Sequence, residues 1–360
     1  MKLVDRYIIK ELISPFFFGI IAFSFIISGS TILFQLIGEA VKYNIPIVDL
    51  IRLFFLKLPY IIALSFPMST LLSTILVFGR LGNDLELLAF RAGGVSVLRL
   101  VVPIIVVGFS VSCLTVLFNE SIVPKTAQSA EYLFRSYRDK QNHTIKKNVN
   151  LTEFEHNLPK RIINVREINQ GIMRNITVAE FDSGQLARII RAKRGEWLPE
   201  GGWIFFDGLM HHFSILDPKK ITLLKFKKEQ INITLSPLDL TKRPKKIEEM
   251  TRQDLKDKID LQKKLGEDPI KDIMDYHLKL SVAFASLIYS ILGASVGLRP
   301  HRSSSAIGLG LSLMIILVYI VLLGIGTGLG LSHILPPIIA AWFPNIIVGI
   351  AGVTLLTFVK

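Results

Sequence analysis

Two apolar stretches separated by a short charged stretch decide the fold of this chain. Residues 56–79 read LKLPYIIALSFPMSTLLSTILVFG, residues 80–99 read RLGNDLELLAFRAGGVSVLR, and residues 100–119 read LVVPIIVVGFSVSCLTVLFN. Because roughly 20 apolar residues cross the hydrocarbon core of a bilayer as a helix, each apolar stretch predicts one membrane span. The charged stretch is too short to be a domain, so it predicts a surface element between two spans.

The same length criterion finds six apolar stretches, at residues 12–38, 56–79, 100–119, 279–298, 306–330 and 334–358. An even number of spans places both termini on one side of the membrane. Basic residues in short loops mark the cytoplasmic side. In this chain they gather on the side of the termini, and they are Arg6, Lys10, Arg80, Arg91, Arg99, Arg299, Arg302 and Lys360. The sequence therefore predicts a multi-pass protein with both termini in the cytoplasm.

The polar middle of the chain lies outside the cytoplasm in this orientation, and it predicts a β domain. Runs of alternating or β-branched residues recur between turn signals, a pattern that is typical of antiparallel strands. The predicted strands are Arg161–Ile168, Ile172–Phe181, Ala187–Trp197, Trp203–Phe213 and Ile221–Leu235. Short strands at this spacing predict a sandwich, a jelly roll or an open barrel.

These patterns divide the chain into four parts. Spans 1–3 and their loops occupy residues 1–124, and the β domain occupies residues 125–245. Residues 246–278 predict a connecting amphipathic helix, and residues 279–360 hold spans 4–6. The predicted fold class is thus an α-helical membrane protein with six transmembrane helices, three before and three after an inserted extracytoplasmic β domain.

Composition and missing motifs exclude several classes of function. The formal net charge is +13, but no basic helix, zinc-ligand spacing or RNA-binding aromatic motif accompanies it, so no nucleic-acid partner is expected. The sequence contains no G-x-x-x-x-G-K-[ST] phosphate loop, no H-E-x-x-H motif and no G-x-S-x-G motif. We therefore expect no catalytic residue, no metal and no cofactor, and any ATP must be hydrolysed by a partner chain.

The charged stretch predicts a short helix at about residues 83–92. Asn83 is a favourable N-cap with Glu86 three residues later, and a glycine pair follows the last turn. One face of this helix carries Leu85, Leu88 and Ala89. So short a helix is unstable alone in water, so it should pack on the membrane surface or on a partner protein. The spacing leaves these two alternatives open.

The fifth apolar stretch is rich in glycine, a residue that lets helices approach closely and slide past one another. Its glycines include Gly308, Gly310, Gly324, Gly326, Gly328 and Gly330. Static helix packing would explain the same pattern, so a moving contact and a fixed contact both remain possible interpretations.

Several segments occur together in an order that resembles a known family. They are Asp5–Ile8, Leu64–Met68, Gly79–Leu81, Asp84 with Glu86, Arg91–Ser96, Gly297–Pro300 and Trp342–Asn345. With three spans, a β domain and three more spans, they resemble the LptF/LptG family of lipopolysaccharide-export permeases over nearly the whole chain. The resemblance implies a subunit of an ABC transporter in the bacterial inner membrane. Such a subunit extracts lipopolysaccharide and passes it through a periplasmic β-jellyroll-like domain to a periplasmic bridge.

The resemblance also implies partners and site residues. The implied partners are a dimeric cytoplasmic LptB-like ATPase, a second LptF/LptG-type permease or a copy of this chain, jellyroll bridge proteins like LptC and LptA, and lipopolysaccharide. Glu86 matches the acidic position of the family's coupling helix, and the implied ATPase-coupling set is Asp84, Leu85, Glu86, Leu88 and Arg91. The glycines of the fifth span would allow a lateral gate to move.

One departure from the family affects lipid contact. Some members carry a lysine near the outer end of the first span, where this chain has Phe34 and Gln35. The nearest cations, Lys42 and Arg52, are candidate contacts for anionic lipid headgroups, or else surface residues whose charges reach the interface. The LptF type and the LptG type both stay open.

Two other functions compete with lipid export as interpretations of the sequence. A mechanotransmitting ABC permease would relay ATPase motion to a periplasmic partner, but such proteins usually have four spans. An enzyme that acts on membrane lipid would need clustered His, Asp or Glu residues at a membrane face, and the sequence does not suggest such a cluster.

Overall fold

The computed structural model describes residues 3–141, 146–155, 158–169, 172–182, 185–197, 202–213, 221–231, 245–264, 268–298 and 305–358. The chain forms two compact units. The first unit comprises residues 1–134, 246–259 and 269–360, and the second comprises residues 135–245 and 260–268.

The helices follow one another along the chain with a sheet inserted after the sixth. Helix α1 (Leu3–Ile27) passes through a π-helical turn (Ser28–Leu33) into α2 (Phe34–Tyr43). The remaining helices are α3 (Ile47–Asn83), α4 (Glu86–Ala92), α5 (Val97–Ser121), α6 (Val123–Gln141), α7 (Arg252–Lys264), α8 (Ile270–Gly297), α9 (Ser305–Leu331) and α10 (Pro337–Thr357).

Six helical segments among the described residues are long and apolar enough to cross a membrane. They are Leu3–Ser30, Ile47–Asn83, Val97–Arg138, Ile270–Gly297, Ile307–Leu331 and Pro337–Thr357. The predicted arrangement of three spans, an insert and three spans is confirmed. The third segment extends well beyond residue 119, because α6 continues the helical path of α5 with only a one-residue interruption.

Helix α3 is the central span of the bundle and packs against α1, α8 and α9. It is rich in buried hydroxyl side chains, which donate to carbonyls of their own helix. The Oγ1 of Thr74, for example, lies 2.7 Å from the carbonyl oxygen of Thr70. These small residues allow close approach, since a Cβ added to Gly293 of α8 would lie 3.0 Å from the Cβ of Thr74. Close packing of small residues thus sets the spacing of the bundle.

The second unit holds a six-stranded antiparallel sheet in which the strands lie in chain order. The strands are β1 (Lys146–Glu155), β2 (Leu158–Asn169), β3 (Ile172–Asp182), β4 (Gln185–Trp197), β5 (Trp203–Phe213) and β6 (Ile221–Ile231). Alternate positions form one buried cluster, which contains Ile163, Val165, Met173, Ile176, Val178, Ile190, Ala192, Trp203, Phe205 and Ile231. This period of two is what the sequence pattern predicted for a half-buried sheet.

Two details of the middle segment differ from the sequence prediction. Residues Val123–Gln141 form α6 where the β domain was expected to begin, because this stretch has few β-branched residues and many helix formers. Strand β1 was missed, since Lys146–Glu155 is mostly polar. The described strands form consecutive antiparallel hairpins, so the predicted antiparallel insert is confirmed. The predicted extension of the last strand to Leu235 falls outside the described residues.

Candidate functional site

The short helix between the second and third spans begins later than predicted. Asn83, the expected N-cap, is the last residue of α3, and α4 starts at Glu86. Leu85 joins the two helices in the left-handed conformation, with φ at 58°. A non-glycine residue there costs about 1 kcal/mol. The compensating contact is Leu87, which the turn directs into the core beside Leu81.

The outward surface of α4 is apolar at its centre and charged at its edges. Leu85 is 64% exposed and Leu88 is 61% exposed. Asp84 and Arg91 are also exposed and flank these two leucines along the sequence. Four of the five residues predicted to couple to an ATPase therefore lie on one accessible segment. Glu86, the fifth, is only partly exposed.

The N-terminal end of α1 holds the α4 end of the bundle together. The hydroxyl of Tyr7 donates to Oε2 of Glu86 at 2.7 Å. Ion pairs join the same helix to its neighbours: Asp5 to Arg99 of α5 at 2.7 Å, and Glu11 to Arg80 of α3 at 2.7 Å. Asp5 and Tyr7 belong to the segment Asp5–Ile8 of the family resemblance, but the sequence did not predict these contacts with other helices.

The glycines of α9 fall into two groups. A Cβ added at Gly326 would lie 2.6 Å from the carbonyl oxygen of Ala340 in α10, and one added at Gly308 would lie 3.1 Å from Leu76 of α3. Around Gly310, Gly324 and Gly328, by contrast, no described atom lies within 4 Å of such a Cβ. The structure therefore uses some of the predicted gate glycines for packing inside the chain and leaves others facing open space.

A buried polar cluster ties α9 to α8 and α10. The hydroxyl of Tyr319 donates to Oδ1 of Asn345 at 3.1 Å, and Nδ2 of Asn345 donates to the carbonyl and the Oγ of Ser281 at 2.7 and 3.0 Å. All three side chains are buried. Hydrogen bonds between helices are a recognised source of association inside membranes. The cluster fixes the middle of α9 to its neighbours.

The opposite end of the bundle contains a cavity of about 770 Å³ beside Arg52. Its lining combines cationic, amide, hydroxyl and apolar groups, from Arg52, Leu56, Lys125, Gln128, Ser129, Tyr132 and Leu133. Lys42 is not among these lining residues. Its Nζ instead lies 5.2 Å from the ring centroid of Tyr43. Of the two predicted headgroup contacts, only Arg52 lines this cavity, where Lys125 is a second cation.

The segment before α7 is anchored beside this cavity. Nε2 of Gln128 donates to the backbone carbonyl of Glu249 at 2.7 Å. The side chain of Glu249 is buried, and this burial raises the pKa of its carboxyl. Burial raises this pKa because it disfavours the charged form of the carboxyl.

Together, six apolar helical segments, an inserted antiparallel sheet and an exposed apolar helix between the second and third spans define a polytopic membrane protein. Among the described residues, no group of three His, Cys, Asp or Glu could hold a metal ion.

The family comparison narrows this class. The chain belongs to the lipopolysaccharide export system permease LptF/LptG family, whose profile matches residues 6–357. No curated protein sequence matches the chain. Membership and the six apolar helices indicate a multi-pass inner-membrane protein that serves as a transporter subunit in lipopolysaccharide export.

Proposed function

We propose that this chain is a permease subunit of an ABC transporter that extracts lipopolysaccharide from the inner membrane and passes it to a periplasmic bridge, powered by a separate ATPase. The observation that carries the proposal is a pair of exposed leucines, Leu85 just before α4 and Leu88 within it, in a chain of this family. Leu85 and Leu88 are mostly exposed, and an apolar surface on so short a helix favours docking to a partner.

The exposed leucines at α4 are apolar groups that a partner ATPase could bury. Docking would remove the two leucine side chains from water, and burial of each contributes about 1.5–3 kcal/mol before the cost of association. Asp84 and Arg91 carry opposite charges, so they would orient the contact rather than attract a partner of one sign. In this proposal α4 and both termini lie in the cytoplasm, and the sheet lies in the periplasm.

Lipid contact is proposed at the opposite end of the bundle. Arg52 and Lys125 line one cavity together with hydroxyl and apolar groups, a combination that suits an anionic headgroup above acyl chains. Lys42, over its neighbouring tyrosine ring, would contribute at the membrane interface. The glycines of α9 with open space around them, Gly310, Gly324 and Gly328, are where the lateral gate would meet a second permease or a copy of this chain.

The bridge would dock at an edge of the sheet. Strands β1 and β6 are the two ends of the described strand order, and an edge strand carries unpaired backbone groups that can extend the sheet into a jellyroll partner.

Co-purification tests the ATPase contact. We expect the tagged wild-type chain to retain its native ATPase in detergent, and Leu88→Glu to lose it, because the substitution places a charge in an apolar contact. Leu261→Glu is the matched control, since Leu261 is 56% exposed on α7. Failure of the wild type to retain any ATPase would refute the proposal. Release of lipopolysaccharide from proteoliposomes with ATP then distinguishes a lipid exporter from a permease that only relays motion.

A further inference from the structure

The position of α4 depends on its contacts with other parts of the chain. The helix has seven residues and follows a left-handed residue, so its own hydrogen bonds cannot fix its direction. Leu87 anchors one side in the core. Phe90 packs against the same cluster. Tyr7 contacts two side chains of the helix: its hydroxyl donates to Glu86 at 2.7 Å, and its ring centroid lies 6.4 Å from that of Phe90.

Tyr7 projects from a part of α1 that is itself rigidly held. Ile8 is fully buried and Leu12 nearly so, and both belong to the cluster that contains Phe78 and Leu81 of α3. The ion pairs Asp5–Arg99 and Glu11–Arg80 lie on either side of Tyr7 along the helix. The hydroxyl of Tyr7 therefore has a fixed position, and its hydrogen bond restricts the position of the group that it binds.

Tyr7 engages one oxygen of the Glu86 carboxylate. A hydrogen bond to an ionised acceptor is short and strong compared with a neutral one, and 2.7 Å is the expected length. Among the described residues, Tyr7 is the one that donates a hydrogen bond to this carboxylate, and it donates to Oε2. This arrangement leaves Oε1 to accept from a cationic group of a docking protein.

From this geometry we propose that Tyr7 is a positioning residue for the coupling helix: it holds Glu86, and through it α4, to the first membrane span. A force that moves α4 is then delivered directly to α1 as well as through the chain connection to α3. The inference rests on the proposed ATPase coupling at α4, and it adds the residue and the span that receive the motion.

Tyr7→Phe tests the inference because it removes the hydroxyl and keeps the ring against Phe90. The first measurement is amide hydrogen exchange of residues 86–92 in the purified full-length permease, without any ATPase. We expect exchange in Tyr7→Phe to be roughly tenfold faster than in the wild type, which corresponds to about 1.4 kcal/mol. Tyr276→Phe, which keeps the ring beneath Arg252, is the matched control and should leave exchange in α4 unchanged.

The second measurement is lipopolysaccharide released per ATP hydrolysed by the permease with its co-purified ATPase in proteoliposomes. We expect this ratio to fall about fivefold in Tyr7→Phe, with the amount of bound ATPase and the Tm unchanged. In a Glu86→Ala background, adding Tyr7→Phe should change neither the exchange rate nor the ratio further.

Either of two results would overturn the inference. One is a wild-type rate of amide exchange in Tyr7→Phe, and the other is a double variant in which the effects of Tyr7→Phe and Glu86→Ala on exchange multiply. A wild-type complex that binds no ATPase would refute the coupling proposal instead, while the exchange measurement would still decide the role of Tyr7.

Discussion

Replacing Asn345 by Leu should loosen the fifth span from its neighbours. Asn345 is 2% exposed and makes three hydrogen bonds, two to Ser281 of α8 and one from Tyr319 of α9. Leucine has the same number and branching of side-chain heavy atoms, so the substitution removes the polar contacts without opening a cavity. The effect therefore reports the hydrogen bonds rather than the packing.

The expected loss of stability follows from the polar groups that Asn345→Leu leaves without a hydrogen-bond partner. The hydroxyl of Ser281 keeps its bond to the carbonyl of Ala341 at 2.7 Å, so it remains satisfied. The hydroxyl of Tyr319 has no other described hydrogen bond, and stranding a buried polar group costs about 1–3 kcal/mol. Hydrogen bonds between membrane helices average about 0.6 kcal/mol and reach about 1.7 kcal/mol. We expect a total destabilisation of about 2 kcal/mol.

The assay is unfolding of the full chain in mixed micelles with increasing denaturing detergent, followed by the fluorescence of its tryptophans, one of which, Trp342, lies close to the cluster. Adding Tyr319→Phe to Asn345→Leu removes the stranded hydroxyl and should restore about 1 kcal/mol. Thr354→Leu is a control, since the hydroxyl of Thr354 bonds only carbonyls of its own helix. Wild-type stability of Asn345→Leu, or a double variant less stable than the single one, would refute the reasoning.

Three further predictions concern other parts of the chain. Glu180 is buried and bridges two arginines on neighbouring strands. Glu180→Gln should therefore destabilise the sheet by about 3 kcal/mol in thermal unfolding. Glu196→Gln, in an exposed ion pair, is the control and should cost less than about 1 kcal/mol. Gly326→Ala should destabilise the bundle by about 1–3 kcal/mol through its 2.6 Å clash with a backbone oxygen, while Gly328→Ala, with open space around it, should be neutral or slightly stabilising; equal Tm values for the two would contradict this. Burial raises the pKa of Glu249, so the folded state binds more protons than the unfolded state. Stability should therefore fall as the pH rises from the ordinary carboxyl pKa through the raised one. Glu249→Gln should flatten the dependence of Tm on pH, and an unchanged dependence would exclude Glu249 as its cause.

The prediction of α4 shows where local pattern reasoning fails. Asn83 and Glu86 have the spacing of a capping box, yet Asn83 ends α3 and Glu86 begins the next helix. Capping contributes about 1 kcal/mol, whereas burying Leu87 in the core contributes more. The better packing therefore decided where the helix starts, and a residue with no capping group, Leu85, occupies the turn.

The α9 glycines show a second limit. The sequence identified all of them as small positions, but it could not separate Gly326, which contacts α10, from Gly324 and Gly328, which face open space. A helix presents successive residues at 100° intervals, so neighbours only two positions apart point to nearly opposite sides.

The six spans and the antiparallel insert can be predicted from the amino-acid sequence alone. Both follow from composition and period within one segment, because a lipid-facing helix must be apolar along its length and a half-buried strand must alternate. The tertiary structure, by contrast, is needed to know which polar side chains form hydrogen bonds with one another. Tyr7 and Glu86 are 79 positions apart, and Ser281 and Asn345 are 64 apart. Such pairs depend on how whole helices pack and rotate against one another, and no local pattern encodes that rotation.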